Sequence, residues 1–149
     1  MSQTKLSMAY KYQDNTIIKL PYSDFNERTS KEFRFKIKDL IANYDHFTII
    51  VDFSKINFID DSGLAAIVYA WHKCSNNNIQ FMVCNLNEIS TLLLLRKGLD
   101  KILQISFNLK EAINIGNQYI QRKNRFDAEK RNIKKVFGDF DQDIKSKVA

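Results

Sequence analysis

A chain of 149 residues, 44% apolar and 27% charged, suits one soluble globular domain and fits neither a disordered nor a fibrous class. Its longest apolar block, the leucines at 92–95, falls far short of the ~20 residues that cross a bilayer, and no basic start leads into an apolar run. Neither a membrane span nor a signal peptide is expected, and the chain reads as cytoplasmic.

MAYKYQ (8–13) alternates in side-chain character, and DNTIIKL (14–20) follows across an Asp14–Asn15 turn, which predicts a β-hairpin. The period then changes. Phe33, Ile37, Leu40, Ile41 and Tyr44 recur at helical spacing, with Thr29 or Ser30 as the candidate cap. FTIIVDF (47–53) is a continuous β-branched run ending in aspartate, the pattern of a central strand buried on both faces. Leu64, Ile67, Val68, Trp71 and Cys74 mark a helix that starts near Ser62 and ends in SNNN (75–78). IQFMVCNL (79–86) predicts another strand, and NEISTLLLLRKG (87–98) a short helix closed by Gly98 at the C′ position. KILQISF (101–107) predicts the last strand, and LKEAINIGNQYIQRK opens a terminal helix. Strands alternating with helices imply right-handed crossovers within one layer. The expected fold is α/β, a small mixed β-sheet with helices packed mainly on one face, plus a C-terminal helical extension.

The net charge of +6 belongs mostly to the tail. Residues 121–149 hold nine Lys and Arg against five Asp and Glu, leaving fourteen against twelve in the rest of the chain. Such a tail permits contact with nucleic acid, anionic lipid or an acidic partner without choosing among them. Ile133, Val136 or Phe137, Phe140 and Ile144 fall close to one helical stripe, interrupted by Gly138. The first reading is an amphipathic helix folded onto the domain. The second is a docking helix or a self-association surface. Polyanion binding through Arg122, Lys123, Arg125, Lys130, Arg131, Lys134 and Lys135 comes third, so direct nucleic-acid binding is not expected. Cys74 and Cys84 have neither finger nor CxxC spacing, and His46 and His72 complete no metal-ligand pattern with them. Reduced structural thiols are expected, with no metal and no cofactor.

The stretch KINFIDDSGLAAIVYAW (55–71) places two carboxylates, a hydroxyl and a glycine where a strand pattern gives way to a helical one. A hydroxyl at a helix start can cap it, worth about 1 kcal/mol. It can equally accept phosphate, gaining about −1.5 to −2 charges beside the helix's partial positive end. Residue chemistry alone leaves both readings open, and Asp60 can itself act as cap or turn former. Leu64, at helical spacing, reads as core. No hydrolase nucleophile elbow, Walker loop or dinucleotide glycine pattern surrounds Ser62. His72, ten residues on, lies about 15 Å along the helix axis and cannot serve as its base. Enzymatic activity is not expected.

Two longer series, IIVDFSKINFIDDSGLAAIV and IQFMVCNLNEISTLLLLRKGLDKILQI, give a further reading. A strand ending in Asp, a short connection, an (I/M)-D-x-S-G-L turn and a late hydrophobic–Gly–Leu stretch follow in order. Together they resemble the STAS domain, named for sulphate transporters and anti-sigma factor antagonists, over roughly residues 8 to 115. The resemblance implies a STAS-like domain at 1–115 and a basic, helical extension at 116–149. In phosphorylatable antagonists the serine immediately before the glycine accepts phosphate from an anti-sigma factor kinase. That role carries to Ser62, with Asp60 and Gly63 matching the motif's aspartate and turn glycine. Asp24, in the loop before the first helix, matches an acidic residue that meets the kinase in many members. The implied partner-binding set is Asp24, Asp60, Asp61, Ser62, Gly63 and Leu64, the glycine leaving room for a partner to approach. Asp61 departs from the pattern, since many antagonists carry a small residue there. The function implied is that of an anti-sigma factor antagonist-like partner-switching regulator, working with an anti-sigma serine kinase and a serine phosphatase. The alternative is a non-phosphorylated STAS regulatory subunit of a transport or signalling complex. A small-ligand or nucleotide-binding module, a third class, has no phosphate loop to support it.

Overall fold

The structure, a computed structural model, describes residues 9–148, with side chains described for residues 9–136. Strands β1 (Ala9–Tyr12) and β2 (Asn15–Lys19) form the expected hairpin. Its two turn residues are Gln13 and Asp14, at φ 50° and 68°, one position earlier than expected. Two successive left-handed residues match the twist of the flanking strands. Asn15 is thereby drawn out of the turn and becomes the first, fully buried residue of β2.

Strand β4 (Thr48–Asp52) runs parallel to β2, β6 (Gln80–Cys84) parallel to β4, and β7 (Gln104–Ser106) parallel to β6. The order is β1-β2-β4-β6-β7, a five-stranded mixed sheet in which only the first pair is antiparallel. A second sheet consists of two dipeptides, β3 (Asp24–Phe25) and β5 (Phe58–Ile59), paired in parallel. The last strand is shorter than KILQISF suggests, because Leu99–Lys101 closes into a 3₁₀ turn.

Helices α1 (Glu27–Asn43), α2 (Asp61–Asn76) and α3 (Glu88–Arg96) pack over one face. Phe33, Ile37 and Leu40 from α1 and Ile67, Ala70 and Cys74 from α2 meet Ile18, Ile49, Val51, Phe81 and Val83 of the sheet. Alternate sheet residues Ile17, Ile50, Met82 and Cys84 point to the other face. There the first turns of α4 (Leu109–Val148) cover them through Ala112, with Leu109, Ile113 and Ile115 at the margin. Both faces are therefore covered, which accounts for the unbroken apolar pattern of β4, buried at all five positions.

Helix α1 is capped by Asn26, not by Thr29 or Ser30. The Asn26 side chain accepts the Arg28 and Thr29 N–H groups at 3.1 and 3.2 Å, and Thr29 Oγ1 accepts the Asn26 N–H at 2.9 Å. This reciprocal box puts Thr29 and Ser30 inside the first turn, with Ser30 Oγ donating to the Glu27 carbonyl. Helix α3 starts at an Asn87 cap and ends, as expected, before Gly98 in the left-handed conformation at φ 72°.

A buried polar cluster fastens α4 to the hairpin. Asn15 Oδ1 accepts the Thr48 hydroxyl at 2.7 Å, and Asn15 Nδ2 donates to Asn117 Oδ1 at 2.8 Å. Gly116 permits this approach, since a Cβ there would overlap the Asn15 side chain. Further on, Tyr119 and Lys123 donate to the Asn78 carbonyl, and the Lys123 ammonium lies 5.3 Å from the Phe47 ring centre. Ile120 is the last buried apolar residue of the helix among those described. Beyond it Phe126, Ile133 and Val136 are 64, 61 and 72% exposed. The tail is thus not folded onto the domain at Ile133 and Val136, because the helix continues straight past the edge of the sheet. Phe137, Phe140 and Ile144 lie outside the described side chains.

Two predictions follow from this packing. Replacing Gly116 by Ala forces the Asn15 side chain aside and destabilises the chain by about 1–3 kcal/mol, read from urea unfolding. His46 accepts the Thr16 hydroxyl at 2.6 Å on Nδ1 and donates from Nε2 to the Leu40 carbonyl at 3.0 Å, which fixes the neutral tautomer. Burial holds its pKa below the usual 6.5, with the Leu40 carbonyl opposing in part. The unfolded chain therefore takes up this proton first. The His46 contribution is complete above about pH 6.5 and is lost as the pH falls through the lower folded value. His46→Gln removes that step from the pH dependence of the urea midpoint.

Candidate functional site

The β3–β5 pair joins the approach to α1 to the approach to α2. Ser23 O accepts the Asn57 N–H at 2.7 Å, and Phe25 O accepts the Asp60 N–H at 3.2 Å. Asn87, the cap of α3, donates from its side chain to the Asn57 carbonyl at 3.0 Å. The starts of all three helices on this face are thereby tied together near the end of β4. Asp52, the buried aspartate closing β4, accepts the Ser54 N–H and the Asn85 side-chain amide at 2.9 and 3.0 Å. It shapes the connection leading into β5.

Within the serine turn the cap is Asp60. Its backbone is extended, and its Oδ1 accepts the Gly63 N–H at 2.9 Å. Asp61 and Ser62 are then the first two residues of α2, so the helix begins one residue before Ser62, near the expected start. The Ser62 hydroxyl makes no hydrogen bond to another described residue and is half-buried. It opens into a shallow hollow of about 370 Å³ between α1 and α2, lined also by Glu27, Lys31, Arg34 and Asp61.

Gly63 answers to a different neighbour than the one expected of it. It is buried, and a Cβ at this position would overlap the Phe25 carbonyl oxygen and lie 2.9 Å from the Phe25 ring. Its missing side chain admits the β3 backbone, not a visiting protein. Leu64 is 7% exposed and belongs to the core, as its helical spacing indicates. Neither residue presents a side chain to a partner. Asp24 and Asp61 are exposed; Asp61 lines the hollow together with Ser62, Asp60 caps the same turn, and Asp24 pairs in register with Phe58 of β5 without lining that hollow. His72 is exposed and hydrogen-bonds Asn76 on its own helix.

The charge near Ser62 is mixed. Lys31 reaches Glu27 at 3.7 Å on the exposed surface of α1, a pairing too solvated to hold either firmly. The Arg34 guanidinium sits 5.2 Å over the Tyr69 ring, which positions it with no carboxylate committed to it among the described residues. These two cations were not found from the sequence. Glu27, Lys31 and Arg34 do recur at helical spacing on a polar stripe, but only the packing of α1 on α2 turns that stripe toward the serine. On the other side of Asp60 and Asp61 lies a second, more apolar hollow of about 480 Å³, floored by Phe58, Ile89, Leu92 and Leu93 and bounded by Arg96.

Among the described residues no group of three His, Cys, Asp or Glu is placed to hold a metal. Cys74 and Cys84 are free and buried, and burial pushes both thiols up to about 12, with Asp52 adding to the effect at Cys84. No helix among the described residues is long and apolar enough to cross a membrane.

The geometry of the turn separates its residues by experiment. Gly63→Ala drives a methyl group into backbone and costs about 1–3 kcal/mol or more. Asp60→Ala loses the cap, about 1 kcal/mol, while Ser62→Ala leaves stability within about 0.5 kcal/mol of the parent. Urea unfolding of the three variants gives that order.

Residues 8–112 match the family model for the STAS domain. Among solved structures, the Thermotoga maritima protein TM1081, a candidate anti-sigma factor antagonist, is 24% identical. The match covers 71% of this chain and 90% of that one, with a TM-score of 0.62. Unphosphorylated SpoIIAA, an anti-sigma factor antagonist and cell fate determinant of Bacillus, is 19% identical over 71% of this chain and 91% of its own, with a TM-score of 0.61. RsbS of Moorella thermoacetica is 12% identical over 76% and 96%, with a TM-score of 0.66. At these identities the likeness is one of fold. The family model spans the sheet, the serine turn and the beginning of α4, and on that match the chain belongs to the STAS domain family.

Proposed function

We propose that this chain is a cytoplasmic partner-switching regulator of the anti-sigma factor antagonist kind, controlled by phosphorylation at Ser62. The observation that carries this reading is the division of labour in the turn. Asp60 caps α2, so the Ser62 hydroxyl has no structural task and faces an open hollow. A capping serine would have its oxygen engaged with its own helix.

In the unmodified state the rim of Asp24, Asp61 and Ser62 meets an anti-sigma serine kinase. Transfer of the γ-phosphoryl group from ATP to Ser62 Oγ, with the hydroxyl proton passing to a base of the kinase, adds about −1.5 to −2 charges at that rim. The phosphate stays near the positive end of α2 and shares its hollow with Lys31 and Arg34, so the fold tolerates it. Asp61 and Glu27 in the same hollow oppose it. A partner surface fitted to the neutral hydroxyl then has to desolvate that charge, and the complex weakens. A serine phosphatase restores it. The existence of SpoIIAA in unphosphorylated and phosphorylated forms supports the reading by analogy of fold.

A second reading has its own observation. Asp61 already places a fixed negative charge next to the serine, and a sulfate transporter family protein from Wolinella succinogenes shares the fold at 13% identity and a TM-score of 0.66. On that reading the turn contacts a transport or signalling subunit constitutively.

Incubation with a candidate anti-sigma serine kinase and ATP, followed by mass spectrometry, is expected to locate one phosphate on Ser62 and none in Ser62→Ala. Ser62→Asp is expected to weaken kinase binding at least about tenfold, equivalent to ~1.4 kcal/mol. An unmodified Ser62 together with unchanged affinity of Ser62→Asp rejects the switch. Capture of a transport subunit in place of a kinase selects the second reading.

A further inference from the structure

Helices α1 and α2 run side by side in the same direction, because each follows one of the two parallel strands β3 and β5. Their first residues are Glu27 and Asp61. Arg34, seven positions into α1, stands level with Tyr69, eight positions into α2, and its guanidinium lies over that ring. Lys31 is in the same way level with Ala65. Side chains on a helix lean toward its N-terminus, so both cations lean along the groove toward the level of Ser62. Ser62, Ala65 and Tyr69 occupy positions i, i+3 and i+7 on the facing side of α2. Ala65 is exposed and contributes only a methyl group, so the hollow of about 370 Å³ stays open between the hydroxyl and the two cations.

Neither cation is firmly committed where it stands. Arg34 lies 5.2 Å from the Tyr69 ring centre, and Lys73, one turn farther along α2, lies 5.7 Å from the same centre. The ring therefore keeps a cation when Arg34 leaves it. Lys31 reaches Glu27 at 3.7 Å, with the two side chains 75 and 79% exposed, so water competes with that pair. In the unmodified chain the hollow is balanced, Glu27 and Asp61 against Lys31 and Arg34. Asp60 is engaged by the Gly63 N–H and shares a neighbouring hollow with Arg28. A phosphate carries up to about two charges, so at equal distance it attracts each cation about twice as strongly as one carboxylate does. A guanidinium also grips two phosphate oxygens at once, a stronger contact than the one it makes over an aromatic ring.

We infer that Lys31 and Arg34 are the receiving pair for a phosphate on Ser62. Arg34 leaves Tyr69 and closes on the phosphate, and α1 and α2 are tied together through the modified serine. The inference rests on the reading of Ser62 as a phosphoacceptor and adds a regulatory consequence to it. The modified surface offers a partner a new negative charge and, at the same time, a groove from which two cations have been withdrawn.

Phosphoserine placed at position 62 of the full chain by translational incorporation tests this without any kinase. The second ionisation of the phosphate, ordinarily near about pH 6, is followed by phosphorus NMR titration. Cations in contact favour the dianion and hold the midpoint down. Arg34→Gln and Lys31→Gln are each expected to raise it, Arg34→Gln by at least about half a pH unit. Arg34→Lys, which keeps the charge without the fork, retains at least about half of that difference. Lys73 is eleven residues beyond Ser62, roughly 16 Å along the axis, and Lys73→Gln leaves the midpoint within about a tenth of a pH unit. A midpoint unmoved by Arg34→Gln or by Lys31→Gln, left by Arg34→Lys where Arg34→Gln puts it, or moved as far by Lys73→Gln overturns the inference. Near-ultraviolet circular dichroism verifies that each variant is folded. Absence of the clamp leaves phosphorylation of Ser62 standing, and failure of a kinase to modify Ser62 leaves the clamp measurable, so the two failures are told apart.

Discussion

The Phe25 carbonyl accepts the Asp60 N–H on one side and presses against the Cα of Gly63 on the other. Much of the serine turn is set by that contact. It holds β5 against β3 and gives Asp60 the extended backbone from which its side chain reaches back to the Gly63 N–H. With the Gly63 donor satisfied in this way, the Ser62 hydroxyl is left free within the first turn of the helix. Any side chain at 63 separates these strands, and the cap, the strand pair and the attitude of the hydroxyl change together. The glycine is therefore a backbone requirement.

The same contact explains how α1 contributes to the rim. Because β3 leads directly into the Asn26 cap, the first turns of α1 and α2 stand side by side. Lys31 and Arg34 are brought beside Ser62 by that proximity, while the T-shaped packing of Phe25 on Phe33 and Phe53 fixes the floor beneath. Polar rim and aromatic floor are two sides of one short strand.

Much of this architecture is readable from residue order. FTIIVDF announces a doubly buried strand because β-branched residues fill it without alternation, and Phe33, Ile37 and Leu40 announce one face of α1. The STAS resemblance rests on the same stretches, and the family match covers them. What is not readable are the features that pairing at a distance decides. Strands of two residues, such as β3 and β5, are too short to carry any period. Asn26, Thr29 and Ser30 are all competent caps, as are Asp60 and Ser62, and the choice falls to whichever residue the strand pair holds extended. The hairpin turn shifted by one residue because Asn15, by leaving it, reaches the buried Thr48 hydroxyl and the Asn117 side chain. The tail misled in the opposite sense. An amphipathic stripe signals that something covers it, yet carries no address, and here the helix departs from its own domain before the stripe begins.

The route of α4 has a further consequence. Ser62 stands beyond the carboxyl ends of the parallel strands, whereas α4 leaves past Asn78 and Phe47, just ahead of the amino ends of β6 and β4. The serine turn and the departing helix are therefore at opposite poles of the sheet. Whatever meets the far part of α4 thus approaches from the pole away from Ser62, and the two ends of the sheet do not share one surface.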